Sequence, residues 1–323
     1  MDTRGRLLEY LKKESGGWVS GEALSREIGV TRSAVWKNIV RLRGDGYVID
    51  SSPGKGYSLS RTPDMLLPNE IWEGLETEVF GRGEIVYFRE TDSTNARARE
   101  LADQGAPEGT LVVAESQTKG RGRKGRSWFS PPGTGIYASL ILRPDLSPDE
   151  APRITFVTAI SAAEALLSLT LLDVAIKWPN DILIKEKKVA GILTEISAEM
   201  DVIDYMVVGL GMNVNNPHLP HDIAERATSV LMETGGEFQR VKILREYLRR
   251  QERYYQVLRE SGFGPVLGRW KELTNTIGKR VMVEMIDRRY TGVVTGVDPD
   301  GVLILQEEGG QVRRILSGDV IFV

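Results

Sequence analysis

Hydrophobic spacing changes character twice along the 323 residues, and those two changes constrain the fold more than any other feature. In the first stretch, apolar residues recur at helical spacing. The middle mixes strand and helix patterns, and from Ile277 onward only short strand-like runs with glycine turns remain. At roughly 100–200 residues per domain, a chain of this length holds two or three domains. The reading is a multidomain α+β protein with boundaries at 1–62, 68–275 and 277–323. The segment Arg61–Pro68 carries two prolines and reads as a linker.

In the front segment, Arg6-Leu-Leu-Glu-Tyr-Leu11 has the spacing of a first amphipathic helix. Ser20 precedes a second helix ending near Ile28, and Gly29 supplies the left-handed turn that stops it. Thr31 then opens a third helix, Arg32 to Arg43, with Val35, Ile39 and Leu42 as its packing face. Helix, short glycine turn and helix is the helix-turn-helix layout. Two short β segments around Pro53-Gly-Lys-Gly56 read as a wing. Residues 1–60 hold ten Lys and Arg against seven Asp and Glu, net +3, so the remainder of this −3 chain carries −6. The third helix has cations and no acid on its other faces. Arg32, Ser33, Lys37, Arg41 and the wing's Lys55 are the candidate DNA contacts, because phosphate neutralisation needs such a face. The plainer reading is a small helical domain with a solvated basic side.

In the middle segment the expected strands are 84–89, 111–117, 135–142, 175–178, 188–196 and 205–210, with helices over 95–104, 154–172 and 241–259. They describe a mixed or antiparallel sheet with helices. The last segment reads as a small β-barrel of strands near 281–286, 290–296, 301–306 and 312–316.

The absence of cysteine excludes thiol nucleophiles, disulfides and Cys-ligated metals, and two histidines, His218 and His221, leave little for a His-based triad. The N-terminus lacks the apolar run of a signal peptide, and no stretch of about 18 apolar residues stands out, so the expectation is a cytoplasmic protein with no membrane partner.

The chemistry concentrates in three runs. Lys119-Gly-Arg-Gly-Arg-Lys-Gly-Arg126 places five cations among three glycines and is followed by Ser127-Trp128. It satisfies G-x-G-x-x-G and nearly satisfies the P-loop pattern, but Trp-Phe-Ser-Pro-Pro-Gly follows where either motif needs a helix. A loop whose arginines repel one another until an anion arrives fits a small anionic ligand; a nucleic-acid patch is the alternative. Lys177-Trp-Pro-Asn-Asp181 gathers an ammonium, an amide and a carboxylate at a strand end. That set suits a phosphate and Mg²⁺, with Asp181 the candidate metal ligand, or else marks an ordinary turn. Gly209-Leu-Gly-Met-Asn-Val-Asn215 allows close approach beside amides, or is simply a glycine-rich strand end.

Taken in order with Asp92-Ser-Thr-Asn95 and Lys188-Val-Ala-Gly-Ile-Leu193, these runs resemble the biotin–protein ligases. The front module makes the chain similar to the bifunctional bacterial type that is also the biotin operon repressor. The resemblance covers essentially the whole chain. It implies a winged helix-turn-helix, a central domain related to class II synthetases and an SH3-like C-terminal barrel. It also implies two chemical steps: biotin and ATP form biotinyl-5′-AMP, and a lysine of the biotin carboxyl carrier protein of acetyl-CoA carboxylase then takes the biotinyl group. Carried over by position, Ser93, Thr94, Asn95, Gln117, Arg121, Gly122, Arg123 and Lys188 would meet biotin. Arg121, Trp128, Lys177, Asn180 and Asn213 would meet ATP or the adenylate, with Lys177 and Arg123 acting in catalysis. Ala227-Thr-Ser-Val230 departs slightly from the family's usual ending of the adenine loop. ATP, Mg²⁺ and biotin are the implied cofactors and substrates, and biotinyl-5′-AMP the corepressor for a homodimer on operator DNA. A lipoate–protein ligase, or a ligand-sensing transcription factor without ligase activity, are the alternatives.

Overall fold

Two hydroxyl caps organise the front of the molecule. Ser20 Oγ accepts from the Ala23 N–H at 3.0 Å, and Thr31 Oγ1 accepts from the Ala34 N–H at 3.2 Å. Each satisfies one of the unpaired donors at a helix start. In this computed structural model, which describes residues 3–14, 16–285 and 287–323, the chain separates into two compact units, Met1–Asp64 and Met65–Val323. The first holds α1 (Thr3–Lys13), α2 (Gly21–Ile28), α3 (Arg32–Gly44) and an antiparallel hairpin of β1 (Val48–Ser52) and β2 (Gly56–Arg61). Leu7, Leu11, Leu24, Val35, Ile39 and Leu42 form its buried centre. Gly56 must be glycine: its φ is +103°, and a Cβ would run into the Val19 carbonyl, where Val19 and Tyr57 pair backbone to backbone.

The second unit begins with α4 (Pro68–Trp72), with Pro at the first helical position where its missing N–H costs nothing. Leu66 and Leu67 ahead of it are buried, so the apparent linker narrows to the residues before them. There follow β3 (Ile85–Phe88), α5 (Thr94–Asp103), β4 (Leu111–Ala114), β5 (Gly135–Leu142), α6 (Pro152–Thr170), β6 (Val174–Lys177), β7 (Asp181–Ile184), β8 (Lys187–Glu199), β9 (Val202–Asn213), α7 (Val230–Thr234), α8 (Arg240–Ser261) and α9 (Phe263–Leu273). The strands form one seven-stranded sheet, β3-β4-β5-β9-β8-β7-β6, in which β3–β4 is parallel and every other pair antiparallel.

Helix α6 corrects one sequence expectation. By length and composition it is apolar enough to cross a bilayer. Most of it is buried instead, packed against α8, α9 and β8, with Ile154, Val157, Ile160 and Leu166 wholly covered. Each such side chain contributes about 1.5–3 kcal/mol on burial, so α6 is the spine of the core.

Five antiparallel strands close the chain: β10 (Arg280–Glu284), β11 (Arg289–Val297), β12 (Leu303–Glu307), β13 (Val312–Ile315) and β14 (Asp319–Phe322), in the order β13-β12-β11-β10-β14. Val281, Val283, Val294, Leu303, Leu305 and Val320 give this β domain a buried face continuous with the main core.

Candidate active site and nucleic-acid face

The cavity of the second unit forms where three local features meet. The first is the start of α5. Asp92 Oδ1 accepts from the Ser93 N–H at 2.7 Å, and Arg97 braces the same carboxylate from the next turn of helix. Burial pushes the Asp92 carboxyl up, but the Ser93 N–H and the Arg97 guanidinium outweigh it and hold it below its usual range. Gln117 Oε1 takes the Thr94 N–H at 2.8 Å, so the helix start is already satisfied there rather than open to a ligand. Asn95, 4% exposed, is held on both edges of its amide. Its Oδ1 accepts from Ser139 at 2.6 Å, and its Nδ2 donates to the Leu193 carbonyl at 3.2 Å and to Glu195 at 2.8 Å.

The second feature is a floor of bare backbone. Gly191 on β8 and Gly209 and Gly211 on β9 line the cavity. A Cβ at Gly211 would stand 2.5 Å from the Trp128 indole, and one at Gly191 would stand 3.1 Å from it. The indole thus lies directly on two glycines, with the Lys188 ammonium 5.3 Å from its ring centre.

The third feature is the cationic run. Its ends are tied as a narrow hairpin: Gly122 N–H donates to the Arg126 carbonyl at 2.6 Å and Trp128 N–H to the Gly120 carbonyl at 2.9 Å. No helix follows, as the motif's context requires; Arg123–Gly125 is a single 3-10 turn. Arg123 reaches inward and donates to Asn180 Oδ1 at 2.9 Å. Burial draws its guanidinium below the usual value, while Asp319 and Asp181 oppose that and Arg126 adds to it.

Ten of the expected residues share this one cavity: Ser93, Thr94, Asn95, Gln117, Arg121, Gly122, Arg123, Trp128, Asn180 and Lys188. Lys177 does not line it. Lys177 stands opposite Asp181 across the β6–β7 hairpin, 3.4 Å from Asp181 Oδ2, and Lys188 meets Oδ1 at 2.6 Å. Burial pushes the Asp181 carboxyl up, but Lys188 and then Lys177 outweigh it and keep it ionised. Both its oxygens therefore serve ammonium groups. Among the described residues no cluster of three His, Asp or Glu gathers that could hold a metal ion. A protein-held Mg²⁺ at Asp181 does not fit this donor set. Asn213 also stays outside the cavity: it is 3% exposed and its Nδ2 donates to the Thr228 carbonyl at 3.0 Å. It ties the end of β9 to residues 227–228, which pair with Lys188.

Sequence reasoning passed over Ser139, Glu195 and Ser130, which hold Asn95 and Gln117 in place. A lone serine inside the otherwise apolar run Gly135–Leu142 was the available signal for Ser139.

In the first unit, Arg32, Ser33, Lys37 and Arg41 are exposed along α3, and Lys55 is exposed at the hairpin turn with its ammonium 5.8 Å from the Trp18 ring. Arg43 is not free to bind: its guanidinium fastens α3 to the Ile49 carbonyl at 2.8 Å. Trp36 and Val40, 56% and 44% exposed, add apolar surface among the cations.

Comparison with known proteins agrees with this geometry. Residues 3–58 match an HTH domain, residues 87–213 the biotin/lipoate A/B protein ligase family, and residues 276–323 the biotin protein ligase C-terminal domain. The bifunctional ligase/repressor BirA of Bacillus subtilis is 37% identical, over 98% of both chains. The chain belongs to the bifunctional ligase/repressor family. The Escherichia coli member is 31% identical over 95% of this chain and 93% of its own. A solved biotin protein ligase from Aquifex aeolicus, in complex with biotin and ATP, superimposes with a TM-score of 0.65 at 32% identity, covering 75% of this chain and 99% of that one.

Proposed function

We propose that the chain activates biotin with ATP and transfers it to a lysine of a biotin carboxyl carrier protein. The observation that carries this reading is one cavity lined both by cations and by neutral hydrogen-bonding groups. Ser93, Thr94 and Gln117 offer hydroxyls and an amide to a neutral bicycle such as biotin's ureido ring, and the bare backbone of Gly209 and Gly211 lets Asn95 and the Trp128 indole close on the sheet beside it. Arg121, Arg123 and Lys188 supply the positive charge in the same lining.

In the first step a biotin carboxylate oxygen attacks the α-phosphorus of ATP, and the bond to pyrophosphate breaks. Two anions approach each other, so preorganised cations stabilise the transition state more than either reactant. Arg121 and Arg123 are the loop's donors in that lining, with Asn180 fixing the aim of Arg123. Asp181 holds Lys177 and Lys188 at a fixed spacing, so that both ammonium groups act without rotating freely. Magnesium enters with the nucleotide's phosphates as part of the substrate. In the second step the carrier lysine's amine attacks the acyl carbon, AMP leaves, and the amine loses its proton to solvent. No enzyme nucleophile is needed, in keeping with a chain that has no cysteine.

The test is direct. Purified protein with α-labelled ATP and biotin should form biotinyl-AMP, and addition of carrier protein should consume it. Lys177→Ala should lose most of the first step while still binding biotin. Lipoate in excess should not compete. Absence of labelled adenylate from folded wild-type protein, or equal use of lipoate, overturns the reading.

For the first unit we infer operator binding, with α3 entering the major groove and Lys55 meeting phosphate from the wing. Biotinyl-AMP, as corepressor, promotes a homodimer on an inverted repeat in the cytoplasm. Three functional modules, 1–62, 68–275 and 277–323, fit this division of labour. DNA affinity that is the same with and without the adenylate refutes the coupling.

A further inference from the structure

We propose that Asp319, on the last strand of the β domain, is a positioning residue that latches the cationic loop shut over the cavity. The proposal rests on the ligase reading for its consequence and on geometry for its existence. The Asp319 side chain, 17% exposed, pairs with two loop cations: Lys124 Nζ at 3.2 Å and the guanidinium of Arg126. Lys124 also donates to the Glu284 carbonyl at 2.9 Å, and Glu284 on β10 is the register partner of Asp319 on β14. The ammonium is thus clamped between two adjacent strands of one sheet.

The loop's shape agrees. Lys124 has φ +54° and Gly125 φ +74°. A lysine holds a left-handed backbone only where surrounding contacts fix it, and here those contacts come from the β domain. Arg123, the neighbour of Lys124, is the residue that reaches into the cavity, so clamping the tip fixes its approach. The same strand touches the site a second time: the Phe322 ring lies 5.9 Å from Lys177 Nζ. The run 119–126 carries five cations, whose mutual repulsion favours an open loop. Asp319 supplies the opposing charge before any ligand does.

The consequence is retention of the reactive mixed anhydride. A shut loop keeps water from the acyl phosphate until a carrier lysine arrives. Asp319→Asn preserves shape and removes the charge. Two measurements test it. Trypsin cuts after Arg and Lys, so the ligand-free loop carries its own cleavage sites. Nicking within 121–126 should be about threefold to tenfold faster in D319N, the range expected for two partly exposed ion pairs lost together. Added salt should speed nicking of the wild type but not of D319N, where only the repulsion among the loop's own cations is left to screen. With biotin and ATP present, the lifetime of enzyme-held biotinyl-AMP should fall by the same factor. The double variant Lys124→Gln/Arg126→Gln changes the partners instead; it keeps the cleavage sites after Arg121 and Arg123, and nicking at those two sites and adenylate lifetime should behave alike. Combined with D319N it should add nothing, because the interaction is already gone. Wild-type nicking and wild-type adenylate lifetime in both folded variants, or effects that add, overturn the latch. Nicking needs neither biotin nor ATP, so failure of the latch and failure of the ligase reading are separable.

Discussion

Replacing Gly209 by alanine should cost more than any other single methyl group on the cavity floor. The added Cβ would meet Asn95 head-on, colliding with its Oδ1 and standing 2.9 Å from its Cγ and 3.1 Å from its Nδ2. Asn95 cannot swing aside cheaply, because it is 4% exposed and tied to Ser139, Leu193 and Glu195. Overpacking of this kind costs about 1–3 kcal/mol. Driving Asn95 out also breaks its hydrogen bonds to the Leu193 carbonyl and to Glu195, for about another 1–3 kcal/mol, while Ser139 keeps Thr94 Oγ1 as an acceptor. The expected loss is therefore about 2–6 kcal/mol, against the 5–15 kcal/mol typical of a folded domain. Urea unfolding should show a lower midpoint at unchanged slope, and calorimetry should show biotin binding at least tenfold weaker. Removing the obstacle gives an internal control: with Asn95→Ala already present, Gly209→Ala should cost distinctly less than it does alone. Strict additivity of the two changes, or a wild-type midpoint for Gly209→Ala, refutes the argument.

Three further outcomes follow from the structure. Glu115→Gln should destabilise the protein by about 3–5 kcal/mol, since it takes the negative charge from beside the buried Arg240 guanidinium 2.9 Å away, which keeps the Gly135 carbonyl as an acceptor, and disturbs the Leu66 N–H held by the same carboxylate; a midpoint within about 1 kcal/mol of wild type counts against it. Lys37→Gln should weaken DNA binding about equally across sequences and reduce the slope of log affinity against log salt by about 0.9 for each protein copy bound; an unchanged slope removes Lys37 from the phosphate contacts. Burial pushes Asp92, Glu164 and Asp181 up, yet hydrogen bonds and cations hold all three below their ordinary range in the folded state. Their contribution to stability is complete above the unfolded carboxyl values and is lost as pH falls through the folded ones. The urea midpoint should then be nearly flat from neutrality to about pH 5 and drop below about pH 4, and a large loss by pH 6 would contradict the assignment.

The parts of the site that were legible in the sequence share one property: their residue types are costly anywhere else. Five cations in eight residues, and glycines spaced along a strand, have few uses besides a ligand. The caps Ser20 and Thr31 and the strand Gly135–Leu142 were readable because their signals are local. What escaped notice had its signal cancelled or placed far away. Strand β7 hides because its hairpin turns on Lys185-Glu186, both at positive φ, with none of the Asn or Gly that advertises such a turn. Helix α9 contains Gly264, Pro265 and Gly268 and reads as loop; Pro265 is tolerated because it falls in the first turn. Strand β14 is four residues long and finds its partner β10 more than thirty positions back, so nothing near Asp319 announces its neighbours on the loop. Asp181 was readable as a charged strand-end residue, but its two lysine partners lie on different strands, and only the folded sheet shows that each of its oxygens meets an ammonium group.

The three floor glycines limit what redesign can do. A pocket is usually enlarged by trimming whatever lies beneath the ligand, but Gly191, Gly209 and Gly211 have nothing left to trim. Bulkier analogues of the vitamin must gain their room sideways, by shortening Leu193, or from above, by replacing the Trp128 indole, because Ile192 and Leu210 point through the sheet into the core.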